Sequence, residues 1–240
     1  MALLLVNLIS GIIMVLIFGA LAIFDRKNMN SELRNIKLIV LSGILIAIAV
    51  VLNKIVDAFL KPIIPVYTEI KIGNFALVLI GFFCGGGLGF LSGIAADVIS
   101  VMISSNGTPT LFFTLISIIW CIVPYYLVKL LSKIYYHKRA IYFYLPITYA
   151  LILLLISAIN PFVLKYLYGM NALWPLYLSR IIKYPFDVAI HSILLIVVSK
   201  IFINGTGLTT KIYQPSFEEP ANNQVLFVDK KEKRKEVIND

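Results

Sequence analysis

The stretch of sequence that decides the fold is YLSRIIKYPFDVAIH, residues 177–191. It lies inside an apolar run from Trp174 to Ile203, which is long enough to cross a lipid bilayer as one helix. At about 100° per residue, one sector of this helix carries the acidic, basic and histidine side chains of the stretch, namely Arg180, Lys183, Asp187 and His191. Charges at membrane depth cost about 2.5–3.5 kcal/mol each and normally face protein or water rather than lipid. We therefore expect the other helices to surround this stripe and to give it something to bind.

The composition is that of a polytopic membrane protein. Of the 240 residues, 60% are apolar and 14% are charged, and the mean hydropathy is +0.94. Soluble domains average about 25% charged residues. The net charge of +9 comes from basic residues at span ends and in the C-terminal tail. This placement indicates orientation in a lipid bilayer by basic loops, and it does not indicate a nucleic-acid partner.

The apolar residues form six blocks that define the spans. The blocks are residues 2–24, 36–56, 72–103, 111–131, 141–164 and 174–203. A single span needs about 20 residues, so the block 72–103 is too long for one helix. Its glycine-rich segment CGGGLG, residues 84–89, divides it into two short helices. The sequence therefore predicts seven spans, one at the N-terminus followed by a group of six.

The predicted domains follow from these blocks and from the charges between them. Residues 1–30 are predicted to form an extra N-terminal transmembrane helix and a basic loop, and residues 31–204 a six-helix membrane domain. Residues 205–240 are predicted to be a disordered, basic cytoplasmic tail. The apolar N-terminus has no basic leader and is longer than the core of a signal peptide, which indicates a retained span. With seven spans the basic loops share one side, so we expect a multi-pass cell-membrane protein with its N-terminus outside and its C-terminus in the cytoplasm.

The outer third of the last span is the first candidate site. The fork-shaped guanidinium of Arg180 suits a carboxylate or phosphate, which predicts an anionic small-molecule ligand held by Arg180 and Lys183. The alternative is that both long side chains extend to the lipid headgroups. Asp187 is interpreted as a partner that neutralises Lys183 or Arg180. His191 lies deeper and is interpreted as a satisfied core histidine.

Other polar and aromatic residues are predicted near the same outer region. Asp97 is a lone carboxylate on a lean apolar helix, and Asn160 sits in the sixth span. The remaining candidates lie at or after the outer connections: Lys71, Asn74, Phe75, Trp174 and Tyr177. For the aromatic residues an interfacial belt is the simple interpretation, and stacking on a flat ligand is the alternative.

The sequence has no motif of an established enzyme class. It lacks a phosphate-binding loop, a Gly-x-Ser-x-Gly elbow and a His-Glu-x-x-His helix. Two cysteines and two histidines have no metal-ligand spacing, so no metal and no cofactor are predicted. A membrane enzyme that uses Asp97, Asp187 and His191 as acid–base groups is the weakest alternative.

Several segments resemble the substrate-binding S components of energy-coupling factor (ECF) vitamin transporters, within them the folate (FolT-like) group. The segment NPFVLKYLYG, residues 160–169, is similar to that group's Asn-Thr-x-Trp-Leu-x-x-Leu-Tyr-Gly, and RIIKYP, residues 180–185, resembles its Arg followed by Ile-Lys-x-Pro. Glycines leading to Ala96-Asp97, and then Phe113-Thr114, also look similar. The resemblance covers residues 36–203, all six family helices. Pro161 and Val163 replace the group's Thr and Trp, which keeps another vitamin or a purine-like ligand open.

The resemblance implies a six-helix S-component bundle plus the extra N-terminal helix. It also implies a protein that binds a substrate and has no ATPase of its own. It would bind a vitamin at the outer face, with residues 61–71 and 104–110 as lids. It would work with a membrane coupling subunit (EcfT) and with ATPase subunits (EcfA). Gly43 and Ala47 fall where the family uses small residues to dock the coupling subunit.

Overall fold

The chain is an all-α polytopic membrane protein. A computed structural model describes residues 2–60, 71–103, 110–134, 141–168 and 173–206, and none of these residues is in a β-strand. This part of the chain forms α1 Ala2–Phe24, α2 Arg26–Arg34, α3 Ile36–Leu60, α4 Asn74–Cys84, α5 Gly86–Ile103, α6 Leu111–Ile134, α7 Ile141–Tyr168 and α8 Leu173–Thr206. Six of these helices, all except α2 and α4, are long and apolar enough to cross a bilayer. The predicted fold class is confirmed.

The glycine-rich segment divides the block 72–103 as predicted. Gly85 ends α4 with a φ of 95°, a left-handed conformation that glycine adopts at little cost, and α5 starts at the next residue. However, α4 has 11 residues, so at 1.5 Å per residue it is about 16 Å long, half of the hydrocarbon thickness. Every residue of α4 is buried. The first of the two spans expected from this block is therefore a short core helix, not a helix of full membrane length.

The start of α4 lies inside the bundle because neighbouring helices hold it there. The backbone N–H of Gly73 donates to Oδ1 of Asn53, two turns before the end of α3, over 2.8 Å. Further along α4, Gly81 lies so close to the carbonyl of Cys121 that a Cβ would collide with it. Side chains of α3, α4, α5, α6 and α7 form the main apolar core, with Leu195 of α8 among its members.

Helix α2 replaces the basic loop that we predicted between the first two spans. Its side chains are mostly polar, but Glu32 is only 5% exposed. Its carboxylate accepts hydrogen bonds from the backbone N–H groups of Gly87 at 2.8 Å and Leu88 at 3.2 Å. Glu32 therefore caps the first turn of α5. The predicted domain boundary between residues 30 and 31 falls within this helix.

One end of the bundle carries basic residues of α2, α3 and α6, and we call it the basic end. Tyr126 of α6 donates a hydrogen bond to Asp25 over 3.0 Å, which joins the end of α6 to the start of α2. At the opposite end, the N–H of Leu111 donates to Asn7 of α1 over 3.0 Å. The basic end carries Arg26, Lys27, Arg34, Lys37 and Lys129. Which end faces the cytoplasm stays a prediction.

Candidate functional site

A polar cavity lies between α4, α6, α7 and α8 in the half of the bundle away from the basic end. Its volume is about 60 Å³, which has room for a few water molecules. The charged side chains that line it are Lys71, Arg180, Lys183 and Asp187. Three cations against one carboxylate give these residues a formal charge of +2. A cavity of this charge inside an apolar bundle favours an anion.

The stripe on α8 supplies three of the four charged residues. Nζ of Lys183 lies 3.1 Å from Oδ2 of Asp187, one turn further along the helix. Asp187 is buried, with 6% of its surface exposed, so this ion pair neutralises a carboxylate that is costly to bury alone. Lys183, one of the two partners that the sequence left open for Asp187, forms this ion pair in the structure.

Aromatic rings line the part of the cavity wall that α6 and α7 form. Tyr149 of α7 lies 5.0 Å from the ring of Trp120 on α6, and both side chains line the cavity. His191, 1% exposed, stacks on Tyr149 with ring centroids 4.4 Å apart and planes 15° apart. The interpretation of His191 as a core histidine agrees with this position. Flat aromatic faces next to cations suit a ligand that has both a ring and an anionic group.

Asn160 brings an unsatisfied acceptor to the cavity wall. It is 6% exposed, and its Oδ1 has no hydrogen-bond partner among the described residues. A buried acceptor left in this state costs about 1–3 kcal/mol. The next residue, Pro161, has no N–H to donate to the carbonyl of Ser157, which also lines the cavity. The Oδ1 of Asn160 is thus available to a donor on a ligand.

The structure brings together five of the nine predicted ligand residues: Lys71, Asn74, Asn160, Arg180 and Lys183 all line the cavity. It places the other four elsewhere. Asp97 accepts a hydrogen bond from the hydroxyl of Thr114 over 2.7 Å, between α5 and α6. Phe75 is 6% exposed and belongs to the apolar core.

Trp174 and Tyr177 lie near the start of α8, outside the cavity. Trp174 is 83% exposed, as expected for an aromatic residue at a membrane interface. Tyr177 donates to the carbonyl of Ala158 over 2.8 Å and packs edge-on against Phe162, so it joins α8 to α7. The predicted lids, 61–71 and 104–110, lie outside the described residues except for Lys71 and Thr110.

Sequence reasoning missed the aromatic and hydroxyl residues of the site: Phe113, Trp120, Tyr149 and Ser157. They lie within apolar blocks, where neither charge nor periodicity distinguishes a cavity-facing residue from a core residue. A Trp or Tyr deep inside a span is the available signal, because its N–H or O–H needs a polar neighbour.

Gly43 and Ala47 lie one turn apart on an exposed part of α3. A Cβ added at Gly43 would meet nothing within 4 Å. This surface lies on a different helix from those that enclose the cavity and is open to another membrane helix.

The model of the family "ECF transporter, substrate-specific component" matches residues 37–208. No curated protein and no solved structure matches the chain. Because the match covers well over half of the sequence, the chain belongs to this family. It is therefore a substrate-binding subunit of a transporter and not an enzyme, and it works with the EcfT and EcfA subunits.

Proposed function

We propose that this substrate-specific component binds folate, or a closely similar vitamin with an aromatic ring and a carboxylate. The observation that carries the proposal is the cavity charge of +2 beside the Trp120 and Tyr149 rings. Arg180 and Lys71 bind the carboxylate of the ligand, and the rings stack on its flat end. The amide of Asn160 accepts from a ring N–H or amino group.

Binding of a molecule of this size requires the site to open. The cavity of about 60 Å³ is much smaller than a vitamin with an aromatic ring and a side chain. The ligand therefore separates the side chains that close this space. The predicted lids, residues 61–71 and 104–110, complete the enclosure in this proposal.

We further propose that the cavity opens to the outside of the cell. The basic end then faces the cytoplasm, in agreement with the tendency of Lys and Arg to stay on that side. This places the N-terminus outside and the C-terminal tail inside. The exposed Gly43 and Ala47 then form a contact with the coupling subunit in the membrane, because small residues allow close helix approach.

A second ligand class, another vitamin or a purine-like molecule, is favoured by two positions on α7. Pro161 and Val163 stand where the folate group has Thr and Trp. Pro161 changes the hydrogen-bonding capacity of the wall beside Asn160. Mass spectrometry of the small molecule that co-purifies with the chain distinguishes the two classes.

The direct test is calorimetric binding of folic acid to the purified full chain in lipid nanodiscs. Arg180→Ala should weaken binding about 10- to 100-fold, since a hydrogen bond to a charged group contributes about 1.5–3 kcal/mol. Lys183→Ala should weaken binding less, because Asp187 already pairs with Lys183. Arg34→Ala, at the basic end, is the matched control and should leave the affinity unchanged. Absence of folic acid binding up to millimolar concentration would contradict the folate proposal.

A further inference from the structure

Both ring nitrogens of His191 face backbone carbonyl oxygens. Nδ1 lies 2.7 Å from the carbonyl of Asp187 on the preceding turn of α8. Nε2 lies 3.2 Å from the carbonyl of Lys71, just before α4. A carbonyl accepts hydrogen bonds and cannot donate them. Each contact is therefore a hydrogen bond only if the nitrogen concerned carries a proton.

A neutral imidazole has one N–H and one lone pair, so it satisfies one of these carbonyls and opposes the other. The imidazolium satisfies both. The groups around the ring permit this charge: the Asp187 carboxylate and Lys183 on α8 are paired with each other, Tyr149 on α7 stacks on the ring, and Lys71 on the α4 side offers its carbonyl. A stacked aromatic ring stabilises a cation.

The Lys71 carbonyl has a second function at the start of α4. It accepts the backbone N–H of Asn74 over 3.2 Å. The side chains of Lys71 and Asn74 both line the cavity. The contact of His191 with this carbonyl thus connects α8 to the two α4-side residues of the site.

We infer that His191 is a positioning residue of the substrate site, whose imidazolium form holds the start of α4 against α8. Protonation keeps Lys71 and Asn74 in place. In the neutral ring the proton stays on Nδ1, which has the shorter contact within the same helix, and the hydrogen bond from Nε2 to the Lys71 carbonyl is lost. Substrate affinity is then greater with the imidazolium than with the neutral ring. The affinity consequence rests on the proposed function, whereas the proton and the contact with α4 do not.

The proton is tested without any ligand. His191 becomes the single histidine in His137→Gln, whose replaced residue lies outside the described part of the chain. In the ¹⁵N-histidine-labelled full chain in nanodiscs, NMR at about pH 6 should show the two similar ring-nitrogen shifts of an imidazolium. At about pH 8.5 it should show the two separated shifts of a neutral ring. A neutral tautomer already at about pH 6 would overturn the inference.

The contact with α4 is tested by hydrogen exchange of the amides of residues 74–76. His191→Phe keeps the ring that stacks on Tyr149 and removes both nitrogens. At about pH 6 these amides should exchange about tenfold faster than in the parent, the effect of losing one hydrogen bond. The parent and the variant should converge at about pH 8.5. Exchange at the same rate in the parent and in His191→Phe at about pH 6 would overturn the positioning role.

Folic acid is the probe for the effect on affinity. Its dissociation constant should rise about tenfold between about pH 6 and about pH 8.5 in the parent and stay constant in His191→Phe. If folic acid fails to bind at all while the NMR and exchange results hold, the proposed function fails and the inference about His191 stands. If folic acid binds equally at both pH values in the parent, the effect on affinity is refuted.

Discussion

Replacing Glu32 with glutamine should remove a pH dependence from the stability of this protein. Glu32 lies in α2, outside the membrane-spanning helices, and its carboxylate is buried against the first turn of α5. Desolvation by burial raises the pKa of Glu32 from its ordinary value of 4.5 to about 7, and the negative charge of Asp25 adds to the rise. The hydrogen bonds from Leu88 and Gly87 oppose it.

The sign and size of the effect follow from this pKa. The folded protein binds the proton of Glu32 more tightly than the unfolded chain does, so stability decreases as the pH rises from about 4.5 to about 7. The difference between 4.5 and about 7 corresponds to about 3 kcal/mol of unfolding free energy. Most of it, roughly 2–3 kcal/mol, should be lost between about pH 5 and about pH 8. Glutamine retains a carbonyl acceptor for the α5 amides and does not titrate.

The assay uses a tryptophan that reports on the core. Trp120 is 2% exposed and Trp174 is 83% exposed, so Trp174→Phe leaves fluorescence from the buried ring. Unfolding by SDS in mixed micelles is then followed at about pH 5 and about pH 8 in this background. The parent should lose stability at the higher pH, and Glu32→Gln should lose roughly 2–3 kcal/mol less than the parent.

The matched control is Glu218→Gln, the same chemical change in the C-terminal tail. It should keep the full pH dependence of the parent. The reasoning is refuted if the parent is equally stable at both pH values, or if Glu32→Gln retains the dependence of the parent.

Two further variants test packing and charge in the bundle. Gly81→Ala should destabilise the protein by about 1–3 kcal/mol, because its Cβ collides with the carbonyl of Cys121. The control Gly43→Ala, on the open face of α3, should change stability by less than about 0.5 kcal/mol. Equal unfolding midpoints of the two variants in the SDS assay would contradict this packing. Lys183→Ala should destabilise by about 1–3 kcal/mol by leaving Asp187 buried without its ion pair, and the double variant Lys183→Ala/Asp187→Ala should recover part of the loss. A double variant less stable than Lys183→Ala would show that the buried carboxylate carries no penalty.

The part of this protein that the sequence determined is the part set by local properties. Hydropathy fixes the membrane class because a bilayer accepts only long apolar helices. The glycine-rich segment at 84–89 divides its block because Gly85 adopts a positive φ. The spacing of Arg180, Lys183 and Asp187 predicts one helix face and one ion pair, since residues three and four apart are neighbours on a helix.

The structure of α2 was not predictable in the same way. The helix is mostly polar and short, so it gives no apolar periodicity. Its buried side chain, that of Glu32, bonds to amides 55 and 56 residues away in the chain. A contact over such a separation leaves no local pattern. The start of α4 also depends on a contact between residues distant in the chain, because the N–H of Gly73 is bound by Asn53 of α3.

The membership of the candidate site was decided only by the tertiary structure. Lipid and protein core are both apolar, so a span of uniform hydropathy does not reveal which of its faces meets other helices. Trp120, Tyr149 and Ser157 enter the cavity wall because α6 and α7 pack against α4 and α8 with those faces inward, while Trp174 faces outward. The sequence determined the charged stripe of residues 177–191. The packing of the helices decided what that stripe faces.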